Sequence, residues 1–204
     1  MARLATDSAS DSECLEMVRR GQSAGAEALF ARHALVILRF AGRMTGSLAE
    51  AEEICQEVFL RLIDRCDQFD GRGNVVSWLL SIAANACRDH LRRGQRRRLV
   101  PIAAAAEVAA REPSAFAVMV NRENGHAVAA ALTRLSVEQR EALVLARYHE
   151  LPYAEIARTL GISEGAVKTR VFRAMEALKA ELATEQPARE QPPTEGAVWT
   201  AAKP

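Results

Sequence analysis

The chain has 204 residues, of which 49% are hydrophobic and 26% are charged, and its formal net charge at pH 7 is +1. This apolar share supports folded cores and excludes a disordered protein, while the near-zero net charge excludes a chain that binds polyanions with its whole surface. Abundant alanine and few aromatic residues favour helices over sheets. Because the sequence has no signal peptide and no apolar run of membrane-spanning length, we expect a cytoplasmic protein without membrane insertion.

Four amphipathic segments come first in the chain. Helical spacing of apolar residues predicts helices at about Ser12–Arg20, Ala24–Met44, Leu48–Cys66 and Ser77–Arg93. The apolar side of the second helix includes Leu29, Phe30, Ile37, Leu38, Ala41 and Met44. The third helix has the clearest stripe, which consists of Ala51, Ile54, Cys55, Val58, Phe59, Leu62, Ile63 and Cys66.

The amphipathic pattern stops at Gly94. From there to about Asn121 the chain contains Pro101, Pro113 and an alanine-rich string, which is typical of a linker. A helix is predicted again at Arg122–Leu135. Another helix opens at Ser136, where a glutamine three residues later completes a capping-box signature.

The segment from Leu151 to Leu182 predicts two helices joined by a tight turn. Pro152 suits a first helical position, Gly161 can end the first helix in a left-handed conformation, and Ser163 can cap the second. The second helix has an apolar stripe and carries Lys168, Thr169, Arg170 and Arg173 on its other faces. This pattern is typical of a DNA-binding helix-turn-helix, although an ordinary helical hairpin with a solvated basic face is the alternative.

These elements predict an all-α protein of two small helical domains joined by a flexible linker, with a helix-turn-helix in the second domain. The expected parts are an amino-terminal segment with a short helix (1–23), a first domain (24–98), a linker (99–121), a second domain (122–183) and a disordered proline-rich tail (184–204).

Two charge clusters lie in the first domain. Glutamates crowd the start of its third helix, more of them than helix capping requires, which indicates a docking surface for a basic partner protein. Arginines crowd the end of its fourth helix, which indicates phosphate contacts. Asn85 lies two turns from Trp78 on the same helix; an asparagine can address a base edge, while the tryptophan can stack on a base or belong to the core.

No enzyme chemistry is indicated. Cys14, Cys55, Cys66 and Cys87 form no C-x-x-C pair and no cysteine–histidine zinc spacing, so we expect small buried hydrophobes and no metal site. The sequence has no phosphate-binding glycine loop and no catalytic triad. We therefore expect no catalytic residues, no cofactor and no small-molecule substrate.

Three motifs occur in order: AEEICQEVFLRLI, FDGRGNVVSWLLSIAANACRDHLRR and the carboxy-terminal helix-turn-helix. Together they resemble bacterial RNA polymerase sigma factors of the extracytoplasmic-function type, over about residues 24–98 and 122–182. The resemblance implies a transcription initiation factor. Its expected partners are core RNA polymerase, promoter DNA and an anti-sigma factor that holds it inactive.

The resemblance also implies roles for individual residues. Those implied to dock on the polymerase are Glu53, Gln56, Glu57 and Arg61. Those implied to melt and read the minus-ten element are Phe69, Asn74, Trp78, Asn85, Arg88, Asp89, Arg92 and Arg93. Those implied to read the minus-thirty-five element are Ser163, Glu164, Lys168, Thr169, Arg170 and Arg173.

The second hypothesis is a self-sufficient helix-turn-helix regulator, in which the first helices would serve dimerisation or sensing. Such a protein should bind palindromic DNA as a dimer without polymerase, because two-fold symmetry is mirrored in the operator. The acidic and basic clusters of the first domain favour the sigma factor, since a simple repressor needs neither.

Overall fold

A computed structural model describes residues 9–69, 71, 73–99 and 126–185, and within these ranges the regular structure is helical, with no strand. The first domain contains α1 (Asp11–Arg19), α2 (Ser23–Thr45), α3 (Leu48–Arg65), a short 3-10 helix (Cys66–Gln68) and α4 (Val75–Leu99). The second contains α5 (His126–Arg134), α6 (Val137–Arg147), α7 (Tyr153–Leu160) and α8 (Glu164–Glu185). The prediction of an all-α protein with two small helical domains is confirmed.

The helix ends follow local chemistry. Ser136 accepts a hydrogen bond from the backbone N–H of Gln139, whose side chain accepts one from the backbone N–H of Ser136, so the predicted capping box is confirmed. Ser47 caps α3 through the backbone N–H of Glu50. Gly46 ends α2 with φ +73°, in the left-handed region that glycine adopts without steric penalty.

The fourth helix is longer than predicted. We had expected it to end at Arg93, with a linker-like segment from Gly94 onward. Instead it continues through Gly94 to Leu99. The reason is that arginine and glutamine are good helix formers, and a single glycine weakens a helix without ending it. The predictions for residues 1–8, 100–125 and 186–204, which include most of the linker and the tail, lie outside the described residues.

Helix α2 is the central element of the first domain. It packs against α1, α3 and α4, and its Leu29, Ile37 and Phe40 are fully buried. In the second domain α8 packs against α5, α6 and α7. Burial of each large apolar side chain contributes about 1.5–3 kcal/mol. Among the described residues, no helix combines the length and apolar character that crossing a membrane requires.

Replacing Gly25 by alanine is expected to lower the free energy of unfolding by about 1–3 kcal/mol, because overpacking forces neighbours apart. A Cβ at this position would clash with the carbonyl oxygen of Cys14 and lie 2.8 Å from Cβ of Met17. Gly42 is the matched control on the same helix: a Cβ there would meet only Cβ of Ala51, at 3.9 Å. Gly42→Ala should stabilise by about 0.5–1 kcal/mol. Urea unfolding followed by circular dichroism measures both; equal stabilities would refute the close packing of α1 on α2.

The two domains also contact each other, which the sequence pattern did not predict. Helix α2 contacts α5 and α6, and α4 contacts α7. The buried apolar side chains of the two domains form one continuous cluster. The functional residues of the two domains are therefore close to one another in this arrangement.

Candidate nucleic-acid interface

The helix-turn-helix is formed by α7 and α8. Gly161 ends α7 with φ +66°, and the hydroxyl of Ser163 accepts a hydrogen bond from the backbone N–H of Ala166 at 3.2 Å. Both features were predicted and are confirmed. Pro152 is the N-cap of α7, one residue before the first helical position that we had predicted for it.

One face of α8 is buried, and the opposite face is exposed within the described part of the chain. Val167, Val171 and Ala174 pack into the core. The exposed residues include Ser163, Glu164, Lys168, Thr169 and Arg173. Lys168 pairs with Glu164 at 3.5 Å, an exposed pair whose energy is small, so the lysine remains available. This face can present cations and a hydroxyl to base edges or phosphates in a major groove.

Phe172 lies on the same helix and was missed by the sequence analysis. It is 68% exposed, the largest exposed fraction among the large apolar side chains of the described residues. Residues four apart share a helix face, so Phe172 neighbours Lys168. The sequence signal was available: Phe172 falls outside the stripe of Val167 and Val171. Among the described residues no packing covers this ring, which adds an apolar group to the basic face.

Arg170 faces inward, unlike Arg173. Its Nη1 lies 3.3 Å from Oε1 of Glu141, a carboxylate that is only 1% exposed. Nε of Arg88, from the first domain, lies 3.5 Å from the other oxygen of the same carboxylate. Burial raises the pKa of Glu141 to about 7, although the two guanidinium groups act in the opposite direction. The buried Glu141 thus pairs with Arg88, which is implied for the minus-ten element, and with Arg170, which is implied for the minus-thirty-five element.

The residues implied for the minus-ten element surround a groove at the start of α4. A cavity of about 150 Å³ is lined by Phe69, Asn74 and Trp78 of the first domain and by Glu155 and Arg158 of α7. The rings of Phe69 and Trp78 pack with centroids 5.5 Å apart, and Phe69 is 8% exposed. Because Phe69 is buried, Trp78 is the ring that can contact a ligand, and Phe69 packs against it from the core side.

The basic end of α4 lies farther along the same helix. Asn85 is exposed, and its Oδ1 accepts a hydrogen bond from Nη2 of Arg88 at 2.6 Å. Arg92 and Arg93 are exposed, and together with Asp89 and Arg61 they line a second surface cavity of about 260 Å³. The structure brings these cations together on one side of the helix, where they can follow a phosphate backbone.

The acidic face of α3 carries the residues implied for polymerase docking. Glu53 and Gln56 are exposed, and Glu57 pairs with Arg61 at 2.6 Å. Two apolar neighbours are exposed: Leu60, which the predicted stripe did not include, is 63% exposed, and Ile63, which it did include, is 50% exposed.

Phe30 of α2 was also predicted on a buried stripe and is about half exposed. Its ring packs edge-on against Phe59, with centroids 4.8 Å apart. Phe30 and Ile63, which we expected on the apolar sides of α2 and α3, are therefore not core residues, since each is about half exposed. The result is an apolar surface beside an acidic one.

The cysteines are all buried as free thiols, as predicted. Burial raises the pKa of Cys55 to about 11, and burial likewise raises the pKa of Cys87, so neither is a reactive thiolate. In the described part of the chain no three His, Cys, Asp or Glu side chains form a group that could hold a metal ion.

Comparison with known proteins agrees with this geometry. Two family models match, Sigma-70 region 2 over residues 29–97 and Sigma-70 region 4 over residues 125–178. The RNA polymerase sigma factor CarQ of Myxococcus xanthus is 34% identical over 165 residues, which span 81% of this chain and 93% of CarQ.

Two solved structures are similar as well. CnrH in complex with the cytosolic domain of CnrY matches with a TM-score of 0.62 at 26% identity, over 86% of this chain and 99% of that chain. The sigma factor RpoE from Bartonella quintana, solved with the anti-sigma factor NepR, matches with a TM-score of 0.59 at 26% identity, over 78% of this chain and 97% of that chain. The chain therefore belongs to the RNA polymerase sigma factors of the extracytoplasmic-function type, which bind core RNA polymerase and direct it to promoters.

Proposed function

We propose that the second domain, residues 122–183, reads the minus-thirty-five element through the exposed face of α8. The observation that carries this proposal is the juxtaposition of Lys168, Thr169, Phe172 and Arg173 on one open face of a helix-turn-helix. Lysine and arginine can address guanine or phosphate, threonine either, and an apolar side chain the methyl group of thymine. Ser163, at the start of α8, would contact the phosphate backbone beside the groove. Glu164 would accept a hydrogen bond from the amino group of a cytosine.

We further propose that the first domain, residues 24–98, melts and reads the minus-ten element. Trp78 would stack on an unpaired base, Asn74 and Asn85 would hydrogen-bond base edges, and Phe69 would support Trp78 from behind. The cations Arg88, Arg92 and Arg93 would hold the phosphate backbone. Asp89 would orient Arg92, from which it lies 3.9 Å.

Docking on core polymerase is assigned to α3. Glu53, Gln56, Glu57 and Arg61 supply the polar contacts, and the exposed Leu60 and Ile63 supply the apolar ones. This combination is typical of an interface, since a partly apolar centre with a charged rim gives both affinity and orientation.

The remaining parts of the proposal concern location and control. We propose that the chain acts in the cytoplasm, has no catalytic activity of its own and is held inactive by an anti-sigma factor. The support for the last point is that RpoE of Bartonella quintana was solved with the anti-sigma factor NepR. Isolation of the protein from its host with a stoichiometric small partner tests it; repeated isolation without one, combined with constitutive activity, refutes it.

Phe172→Ala is expected to weaken binding of the polymerase complex to promoter duplex by roughly fivefold, because an apolar contact with a thymine methyl group is lost. A promoter recovered by transcription with core polymerase supplies the duplex. Replacing single thymines of its minus-thirty-five element by uracil removes only the methyl group. The wild-type protein should lose affinity at one such position, and the variant should lose none there.

This double-substitution cycle isolates one contact. If the wild type is indifferent to uracil at every position of the element, Phe172 reads no methyl group. If the protein binds a palindrome as a dimer without polymerase, the helix-turn-helix regulator is the better description.

A further inference from the structure

Helix α1 contacts the segment that leads into the proposed minus-ten groove. None of the residues implied for DNA or polymerase contact lies in this helix. Its last residue, Arg19, nevertheless reaches the end of α3, where the 3-10 helix Cys66–Gln68 leads into Phe69. Nη2 of Arg19 donates hydrogen bonds to the carbonyl oxygens of Cys66 and Phe69, each at 2.9 Å. One nitrogen of the guanidinium thus bridges the two ends of this turn.

The chemistry of the turn explains why an arginine is suited to this position. Carbonyl groups at the end of a helix lack the partners that a next turn would supply. The oxygen of Cys66 accepts a bond of 3.4 Å from the backbone N–H of Phe69, and Arg19 adds a shorter one. A guanidinium is planar and holds its N–H groups in a fixed fork, so it sets the direction of both carbonyls at once.

Helix α1 is firmly anchored, which fixes the position of Arg19. Cys14 and Leu15 are fully buried in the core of the first domain. The absent side chain of Gly25 lets the backbone of Cys14 approach α2 closely. Ser10 closes a capping box at the start of α1. The guanidinium is therefore held by the core on one side and by the turn on the other.

The backbone that Arg19 holds carries the ring behind Trp78. The buried ring of Phe69 packs against Trp78 with centroids 5.5 Å apart, and both residues line the minus-ten groove with Asn74. A shift of Phe69 would remove the surface against which Trp78 packs. The contacts therefore run from α1, through the backbone of Phe69, to the ring proposed to stack on a base.

The surroundings of Arg19 disfavour a direct contact with DNA. Its side chain is 29% exposed, and its Nη1 lies 3.3 Å from the carboxylate of Glu16. Its Nε lies 3.6 Å from the carboxylate of Asp67. Both carboxylates would repel an approaching phosphate, while pairs this exposed contribute little to stability. The contacts with the two carbonyl groups thus indicate a positioning role.

We propose that Arg19 is a positioning residue for promoter melting. By holding the carbonyl groups of Cys66 and Phe69, it sets the ring of Trp78 for stacking on an unpaired base of the minus-ten element. The inference rests on the proposed function of Trp78. Helix α1 then takes part in reading the promoter although it touches no DNA.

Arg19→Ala removes both bonds to the turn. Arg20→Ala is the matched control, because Arg20 is the next residue, pairs with the same Glu16 at 3.1 Å and has a 66% exposed side chain. Both variants are made in the full-length chain with Trp199→Phe, which leaves Trp78 as the only tryptophan. Arg19→Ala should shift the emission of Trp78 and increase its quenching by acrylamide, whereas Arg20→Ala should match its parent. Circular dichroism checks that the helical content is unchanged.

The second readout is the preference of the polymerase complex for a base in the minus-ten element. The probes are single-stranded oligonucleotides with the minus-ten sequence of a promoter recovered by transcription, either intact or with one abasic site. At one position the wild type should prefer the intact strand by about tenfold, or about 1.4 kcal/mol, which lies within the range of stacking on an aromatic ring. Arg19→Ala should reduce this preference to about twofold, since a displaced ring loses most of the stacking energy. Arg20→Ala should keep it.

The preference is a ratio measured on one preparation, so a smaller folded fraction does not alter it. Unchanged emission of Trp78 in Arg19→Ala would overturn the proposal, as would an unchanged preference. A salt slope that falls by about 1 with the preference intact would assign Arg19 to a phosphate instead. Failure of the proposed function is seen separately, in a wild-type complex that is indifferent to an abasic site at every position.

Discussion

Replacing Leu60 and Ile63 together by aspartate is expected to lower the affinity for core RNA polymerase by at least about 100-fold, because interface energy concentrates in a few central residues. Both side chains are half exposed or more, so the free energy of unfolding should change by less than about 1 kcal/mol. Titration of labelled protein with purified core polymerase measures the affinity, and thermal unfolding checks the fold.

The control for this experiment adds the same charge elsewhere. Ser12→Asp with Ala180→Asp places two new carboxylates at exposed positions outside α3. This variant should bind core polymerase as the wild type does. Wild-type affinity in the Leu60 and Ile63 variant would show that α3 docks by another face, and equal losses in both variants would reduce the effect to net charge.

Replacing Lys168 and Arg173 together by alanine is the second large change. We expect binding of the polymerase complex to duplex that carries the minus-thirty-five element to weaken by about 100-fold, since each contact contributes about 1–3 kcal/mol. The slope of log affinity against log salt concentration should fall by up to about 2, because each lost phosphate contact reduces the slope by about 1. Anisotropy titrations at several salt concentrations give both quantities.

Arg147→Ala with Lys179→Ala removes the same charge from exposed positions of the same domain and serves as the control. It should leave affinity and salt slope nearly unchanged. Arg170→Ala offers a further contrast. Because Arg170 is paired with Glu141, its loss should weaken duplex binding less than the loss of Lys168 and Arg173 does. An unchanged salt slope in the Lys168 and Arg173 variant would remove α8 from the duplex contact.

The fold was largely predictable because each helix carries its own signals. Apolar periodicity and end residues such as Ser136 and Gly161 located most helix ends to within one or two residues. These signals are local, and the end of the apolar pattern does not fix the end of the helix: α4 continues past Gly94 through residues that are good helix formers. The contact between the domains was not predictable, because it joins residues such as Arg140 and Met44 that share no local pattern.

The sequence predicted which residues belong to the candidate sites, but it did not predict how exposed each side chain is. Sequence periodicity assigns a residue to a face without giving the width of the partner that covers it. Ile63 and Phe30 were thus expected in the core and are half exposed. Phe172 was overlooked among its charged neighbours. Conversely, the sequence pattern predicted that Arg170 faces the DNA groove, whereas its guanidinium pairs with the buried Glu141.

Run-off transcription with purified core polymerase on a pool of host promoter fragments tests the central claim most directly. With the protein present, we predict discrete transcripts whose start sites share two upstream elements, and none with either component alone. Substituting Lys168 and Arg173, or Leu60 and Ile63, should abolish the same transcripts. Polymerase that starts equally with and without the protein, together with binding of the protein alone to a palindrome, would contradict the account.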